Sequence, residues 1–400
     1  MVYEKRNEYD VTLETYNSLV EKLPKLKEHF LSKVCFLGFD GYVDSLYSVV
    51  KSRESPEEWT RMEKMSAFGK IIQEVAGSSA NIERVLKKKT SGGFAPNTAK
   101  AINGLGINVN LVGAVGYPEI NPIFTHLTDR KSVNTIPFSN PGETLGLEFD
   151  DGKIMLTDFA NVMNISWDLI TETIGIERLI SLINESNLMG FGHWSLLPHF
   201  NDIWEHMKAD IFPDIKNLEN KLFFVDLADI KKRSTEDIQE MLKLLVNIDK
   251  DVPVMLSLND QEAIDISKTL DSIKIIDPKK KNFGDYKEAG MKINEEVGLT
   301  YLVIHSPHFA TITVKNKGHF WVTEGYTSTP RYTTGAGDHF HSGAAVGLCC
   351  DITPAEALLI GNALTAIFVR TGESPTFGQL SEFIKNYMKY IKKDIPDFPS

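Results

Sequence analysis

Three cysteines are too few for a disulfide scaffold in this 400-residue chain, and Cys35, Cys349 and Cys350 lack the spacing of a zinc site. All three lie in apolar stretches and read as buried thiols in a reducing compartment. No apolar run reaches the roughly 20 residues that a membrane-spanning helix needs. The N-terminal Met-Val-Tyr-Glu-Lys-Arg also lacks the apolar centre of a signal peptide. The expectation is a cytoplasmic protein with no membrane partner. Positive charge is scarce too: the net charge is −11, and Lys87–Lys89 and Lys279–Lys281 are the densest cationic runs. Such a balance excludes broad nucleic-acid binding. Several catalytic signatures are missing. There is no Walker-type Gly-Lys-Ser/Thr and no dinucleotide fingerprint, and Gly192-His-Trp-Ser195 lacks the second glycine of a nucleophile elbow. The histidine pairs 193/199, 305/308 and 339/341 do not have zinc-hydrolase spacing. No repeat, low-complexity segment or long linker interrupts the chain.

What is present centres on Tyr332-Thr-Thr-Gly-Ala-Gly-Asp-His-Phe-His-Ser-Gly-Ala-Ala-Val-Gly-Leu348, a glycine turn running into an apolar helical segment. The N–H groups of Gly335, Ala336 and Gly337 then open a helix, where unpaired donors favour an anion. Asp338 stands at the same place. A lone Gly-Asp marks a helix cap. A carboxylate inside an anion cradle also suits a base that takes a proton from a hydroxyl attacking a phosphate.

The strand-length run Val34-Cys-Phe-Leu-Gly-Phe-Asp40 releases Asp40 and Asp44 together, as turn residues or as acceptors for sugar hydroxyls. Gly92, Gly93 and Asn97 form a second glycine-rich helix start, which allows close backbone approach to a ligand. Residues 143–157 alternate about Asp151-Gly152 and predict a hairpin outside the main sheet. Further strands are expected over 109–115, 188–193, 222–226, 252–257, 273–276 and 301–305. A late hairpin is expected over 310–323. Helices are expected over 167–184, 200–218, 236–247, 260–270, 283–296, 338–350, 354–371 and 377–392. The stretch 55–88 reads as mostly helical, and Pro24 is expected to split the first 30 residues into two helices. Alternation of this kind predicts a parallel sheet covered on both faces. Asp226, Asp229, Asn259 and Glu262 sit at strand ends, as ordinary caps or as groups that organise magnesium through water.

Taken together, these motifs resemble the ribokinase-like (PfkB) carbohydrate kinase family over roughly residues 33–390. Thr334–Gly343 is similar to its C-terminal signature, and Gly92, Gly93 and Asn97 to its N-terminal one. Asn259 with Glu262 is similar to its Asn-x-x-Glu motif, and Ala357–Ser374, containing Asn362, to the wall of its nucleotide site. The family usually carries Asp-Thr before the turn, where this chain has Thr333-Thr334, and a glycine loop where it has His305-Ser-Pro-His-Phe309. The resemblance implies an α/β three-layer αβα sandwich with a mostly parallel sheet and a small β lid from parts of 41–50 and 133–160. Residues 1–30 would be a helical extension and 31–400 the kinase domain. The implied activity is transfer of a terminal phosphoryl group from ATP, or from ADP or GTP, to a hydroxymethyl group of a sugar or sugar derivative. Asp338 would be the base and Gly335, Ala336 and Gly337 the anion hole. Asp40, Asp44, Gly92, Gly93 and Asn97 would hold the acceptor. Asn259, Glu262, Thr334 and Asn362 would serve the nucleotide, with Mg²⁺ held through water by Glu262 and room for a monovalent cation. A homodimer through the lid edge fits this picture. A nucleoside or vitamin-precursor kinase, or a non-catalytic binding relative, are the competing readings.

Overall fold

Val34–Phe39 divides its side chains between two cores, with Phe36 and Phe39 on one side and Cys35 and Leu37 on the other. Leu222–Asp226 does the same: Phe223 and Val225 enter the first core, Leu222 and Phe224 the second. Two-sided burial is what a sheet covered by helices on both faces requires. The computed structural model describes residues 8–270 and 283–398 and contains a nine-stranded sheet. Its order is Gly318–Thr323, Phe309–Val314, Tyr301–His305, Val254–Asn259, Leu222–Asp226, Leu188–Gly192, Val34–Phe39, Asn108–Gly113 and Val133–Pro137. Only the pairings of the first three are antiparallel; the rest are parallel. The fold is thus the expected three-layer αβα sandwich. The strand expected over 273–276 lies outside the described residues.

A separate five-stranded sheet is built on Tyr42–Arg53. It pairs with Trp59–Arg61, Arg84–Gly92 and Gly142–Phe149, and the last forms a hairpin with Gly152–Asp158. Val49, Met62, Phe68, Leu147 and Phe149 give it a small core of its own. Here the helical expectation for 55–88 fails: Met65–Glu74 is the helix, and Lys87–Lys89 lie in a strand. That strand exposes most of its side chains, so its apolar pattern is too sparse to reveal a period. Val133–Pro137 joins the main sheet, not this one.

Pro24 does not break the first helix, which runs unbroken from Glu8 to Leu31. A mid-helix proline costs about 3 kcal/mol. Leu19, Leu23, Leu26 and Phe30 are all buried on one face, each contributing about 1.5–3 kcal/mol, which outweighs it. Lys22 and Ser18 reach Glu356, the capping-box residue of Pro354–Thr371, at 2.8 and 2.7 Å. That helix crosses Ala336–Leu348 backbone to backbone. A Cβ at Gly343 would lie 2.8 Å from Gly361 Cα, and one at Gly361 would lie 2.7 Å from the Phe340 carbonyl oxygen.

Candidate active site

Three neighbouring parallel strands end in register and deliver their next side chains to one place. Phe39 pairs with Gly192 and Phe191 with Val225, so Asp40, His193 and Asp226 emerge side by side at the carboxyl edge. Ligand sites of open α/β sheets gather at this edge. His193 Nδ1 lies 3.2 Å from Asp40 Oδ2, and its Nε2 is 3.6 Å from Asp226 and 3.7 Å from Asp338. Burial alone would favour neutral imidazole, but these carboxylates outweigh it and hold His193 well above its usual pKa.

Asp338 sits in the first turn of Ala336–Leu348, 4 % exposed. The Asn97 amide donates to its Oδ2 at 2.8 Å, so the two glycine motifs, 241 residues apart, meet directly. Its Oδ1 faces His193 and His341, the latter at 3.6 Å. Burial pushes the acid up, yet these two imidazoles hold it well below the usual carboxylate range. Gly335 caps the helix at φ +92°, a conformation few residues other than glycine adopt. The Ala336 N–H is turned toward the Thr333 carbonyl at 3.2 Å, so one of the three expected donors is already engaged. His339 pins this turn: Nδ1 donates to the Gly335 carbonyl at 2.7 Å, Nε2 accepts from Ser374 at 2.9 Å, and the ring stacks on Phe368 at 3.9 Å. Burial holds it neutral, with a pKa of about 4.

Asp40 is placed differently from the expectation that it grips the acceptor. It is fully buried, and its two oxygens accept from the Phe94 and Ala95 N–H groups at 2.9 and 2.8 Å, capping helix Phe94–Gly104. Its work is to fix the helix that carries Asn97. Asp44 lines a cleft of about 610 Å³ together with Gly92, Asn97, Thr334 and Phe368. Burial pushes its carboxyl up, while Thr144 and Lys100 pull it back. A Cβ at Gly92 would lie 2.2 Å from Asp44 Oδ2, and one at Gly93, which holds φ +101°, would lie 3.1 Å from Asp40 Oδ2 and from Gly41 Cα. On the expectation that Asp44 holds the acceptor, Gly92→Ala should displace it and raise the acceptor KM by roughly tenfold or more, about 1.4 kcal/mol of lost binding. Initial-rate kinetics at varied acceptor will check this.

Asn362 is a correction. It is fully buried and donates to the Tyr387 hydroxyl at 3.2 Å, inside the core formed by Pro354–Thr371, so it walls no ligand site. Asn259 and Glu262 form a reciprocal capping box. Glu262 is 4 % exposed, and burial and the nearby Asp226 charge push it up. A buried acid with a second, half-buried acid close by fits a divalent cation, which would offset the charge of both. His193, Asp226 and Asp338 also bring ligand atoms within 4.8 Å of one another, but the protonated imidazole already supplies the positive charge between them. His193 and His339 were legible only as members of histidine pairs without zinc spacing; His339 follows Asp338 directly, but no spacing along the chain joins His193 to it.

The model of the prokaryotic ketohexokinase family matches residues 10–387. A ketohexokinase from Haloferax volcanii is 29% identical over 387 residues, covering 96% of this chain and 98% of its own. A ribokinase structure from Arabidopsis thaliana, complexed with ribose and ATP, aligns with a TM-score of 0.61 at 14% identity, covering 88% of this chain and 98% of that one. A nucleoside kinase from Methanocaldococcus jannaschii aligns with a TM-score of 0.54 at 16% identity, covering 89% and 98%. At such identities the two structures speak for the fold. The family match spans nearly the whole chain: this protein belongs to the prokaryotic ketohexokinase family, among the ribokinase-like (PfkB) sugar kinases, and is a phosphotransferase acting on an alcohol.

Proposed function

We propose that the chain transfers the terminal phosphoryl group of ATP to a hydroxymethyl group of a ketohexose, with Asp338 as general base. The observation that carries this reading is the 2.8 Å hydrogen bond joining Asn97 to Asp338 at the edge of a cleft that Asp44 also lines. Asp44, Gly92, Gly93 and Asn97 position the acceptor, and Asp40 supports them from behind. The hydroxyl proton passes to Asp338, whose ionised state is maintained by His193 and His341. A weak base suffices, because the transition state of phosphoryl transfer is loose and the proton leaves late. The Gly335–Gly337 turn stabilises charge on the transferring group, with Thr334 beside it on the nucleotide side. Asp226 and Glu262 would hold Mg²⁺ through water; when bound, the ion offsets charge on the donor phosphates. The five-stranded sheet acts as a lid that keeps competing water out. Among the described residues no helix is long and apolar enough to cross a membrane, and the free cysteines fit a cytoplasmic setting.

The test is a matrix of ketohexoses, aldohexoses and nucleosides against ATP, ADP and GTP, with Mg²⁺ and with chelator. Turnover is expected to be highest for a ketohexose with ATP and to disappear with chelator. Preference for a nucleoside acceptor, or no turnover in any combination, would overturn the reading.

A further inference from the structure

Helix Phe94–Gly104 turns two polar side chains into the cleft, Asn97 and, three residues on, Lys100. Residues three apart share a helix face, so the ammonium hangs on the side that carries the contact with Asp338. Its direction is fixed by a short relay. Lys100 Nζ donates to Ser91 Oγ at 3.2 Å, and Ser91 Oγ lies 3.4 Å from His126 Nε2. His126 Nδ1 is 2.9 Å from the Ile123 carbonyl oxygen. A carbonyl only accepts, so Nδ1 carries the imidazole proton and Nε2 accepts from the Ser91 hydroxyl. The Ser91 lone pairs are thereby left facing Lys100.

Of the other cations lining the cleft, Lys89 is exposed on its strand and the rest are engaged. Lys87 and Lys153 pair with Glu148, Arg331 lies 2.6 Å from Asp397, and Lys88 sits over the Tyr332 ring. Among the described residues Lys100 has no carboxylate within 4.0 Å, although Asp338, Asp44 and Glu373 act on it from further off. Meanwhile the positive charge of His193 is absorbed by Asp40, Asp226 and Asp338. A phosphoryl group moving toward a hydroxyl beside Asp338 would bring more negative charge into this acidic setting. A cation aimed at its path offsets that charge where it develops.

We propose that Lys100 is a catalytic residue that contacts the transferring phosphoryl group, its ammonium oriented by Ser91 and His126. This rests on the kinase reading above. The same ammonium could instead meet a phosphate on the acceptor, and the test separates the two sources. Full-length wild type, Lys100→Met, Lys100→Arg and Ser91→Ala are assayed with ATP and Mg²⁺ on D-fructose and on a fructose monophosphate, with thermal melts alongside. The expected result on D-fructose is a kcat loss of roughly 10²–10³-fold for Lys100→Met with acceptor KM little changed. Lys100→Arg should recover part of that loss, and Ser91→Ala should fall between wild type and Lys100→Met. An active wild type with Lys100→Met equally active overturns the proposal alone. A defect confined to the KM of the phosphorylated acceptor, with kcat on D-fructose intact, assigns the ammonium to the acceptor and also overturns it. Should Lys100→Met not fold, an unchanged kcat in Ser91→Ala overturns it. A wild type inactive on every acceptor brings down both the kinase reading and the proposal.

Discussion

Replacing Asp338 with asparagine will lower kcat roughly 10²–10⁴-fold while the acceptor KM stays close to wild type. The substitution keeps the shape of the side chain and leaves an amide oxygen that can still accept from Asn97, at the present 2.8 Å. What it removes is the site for the hydroxyl proton. It also removes the charge that draws in His193 and His341 at 3.7 and 3.6 Å, so both imidazoles lose the partner between them. The binding groups at Asp44 and Gly92 stand on other elements and are untouched. Steady-state kinetics on saturating acceptor, with isothermal titration of the acceptor alone, separates the two effects. A kcat within a few fold of wild type would remove Asp338 from the chemistry.

The second large effect concerns stability. Arg370 is 1 % exposed and donates to four carbonyls: Ile395 at 2.7 Å, Ala366 at 2.8 Å, Gly325 at 3.0 Å and Tyr326 at 3.2 Å. It thereby ties the C-terminal segment and the strand exit at Gly325 to helix Pro354–Thr371. Phe383 and Tyr390 lie beneath the guanidinium, 5.8 and 5.1 Å from its carbon. Arg370→Met keeps much of the volume but removes all four donations, two of them to buried carbonyls, at an expected cost of about 3–5 kcal/mol. Glu324, which burial pushes up and Arg370 pulls back, will then hold its proton more firmly. Urea unfolding of the purified variant checks this; a loss below about 1 kcal/mol would mean that water enters and replaces the guanidinium.

The parts of the site that could be read from the chain are those written in contiguous residues. Asp338 with its glycines and Asn97 with Gly92 and Gly93 each sit at a helix start whose backbone geometry a short motif specifies. His193 and Lys100 could not be read this way, because their roles arise only where separate strands and helices converge. Asp40 was visible as a strand-end acid, but nothing in its surroundings tells whether it faces a ligand or caps the next helix. Asn362 carried a signal that could have corrected it. Its helix is apolar on nearly every side, as a helix inside the core must be, so an amide there meets protein and not a ligand. In the small sheet, Lys87–Lys89 misled because exposed strands need no apolar period, and pairing with Tyr42–Arg53 decides their conformation.

The glycine-to-glycine contact at residues 343 and 361 also bears on how the enzyme can work. Nothing compressible lies between those two helices, so the one carrying Asp338 can neither slide nor roll without its main chain colliding with its neighbour. That half of the molecule behaves as an anvil. On the proposed mechanism, whatever travel the catalytic cycle demands has to be made by the other side, bringing the acceptor down onto a stationary Asp338.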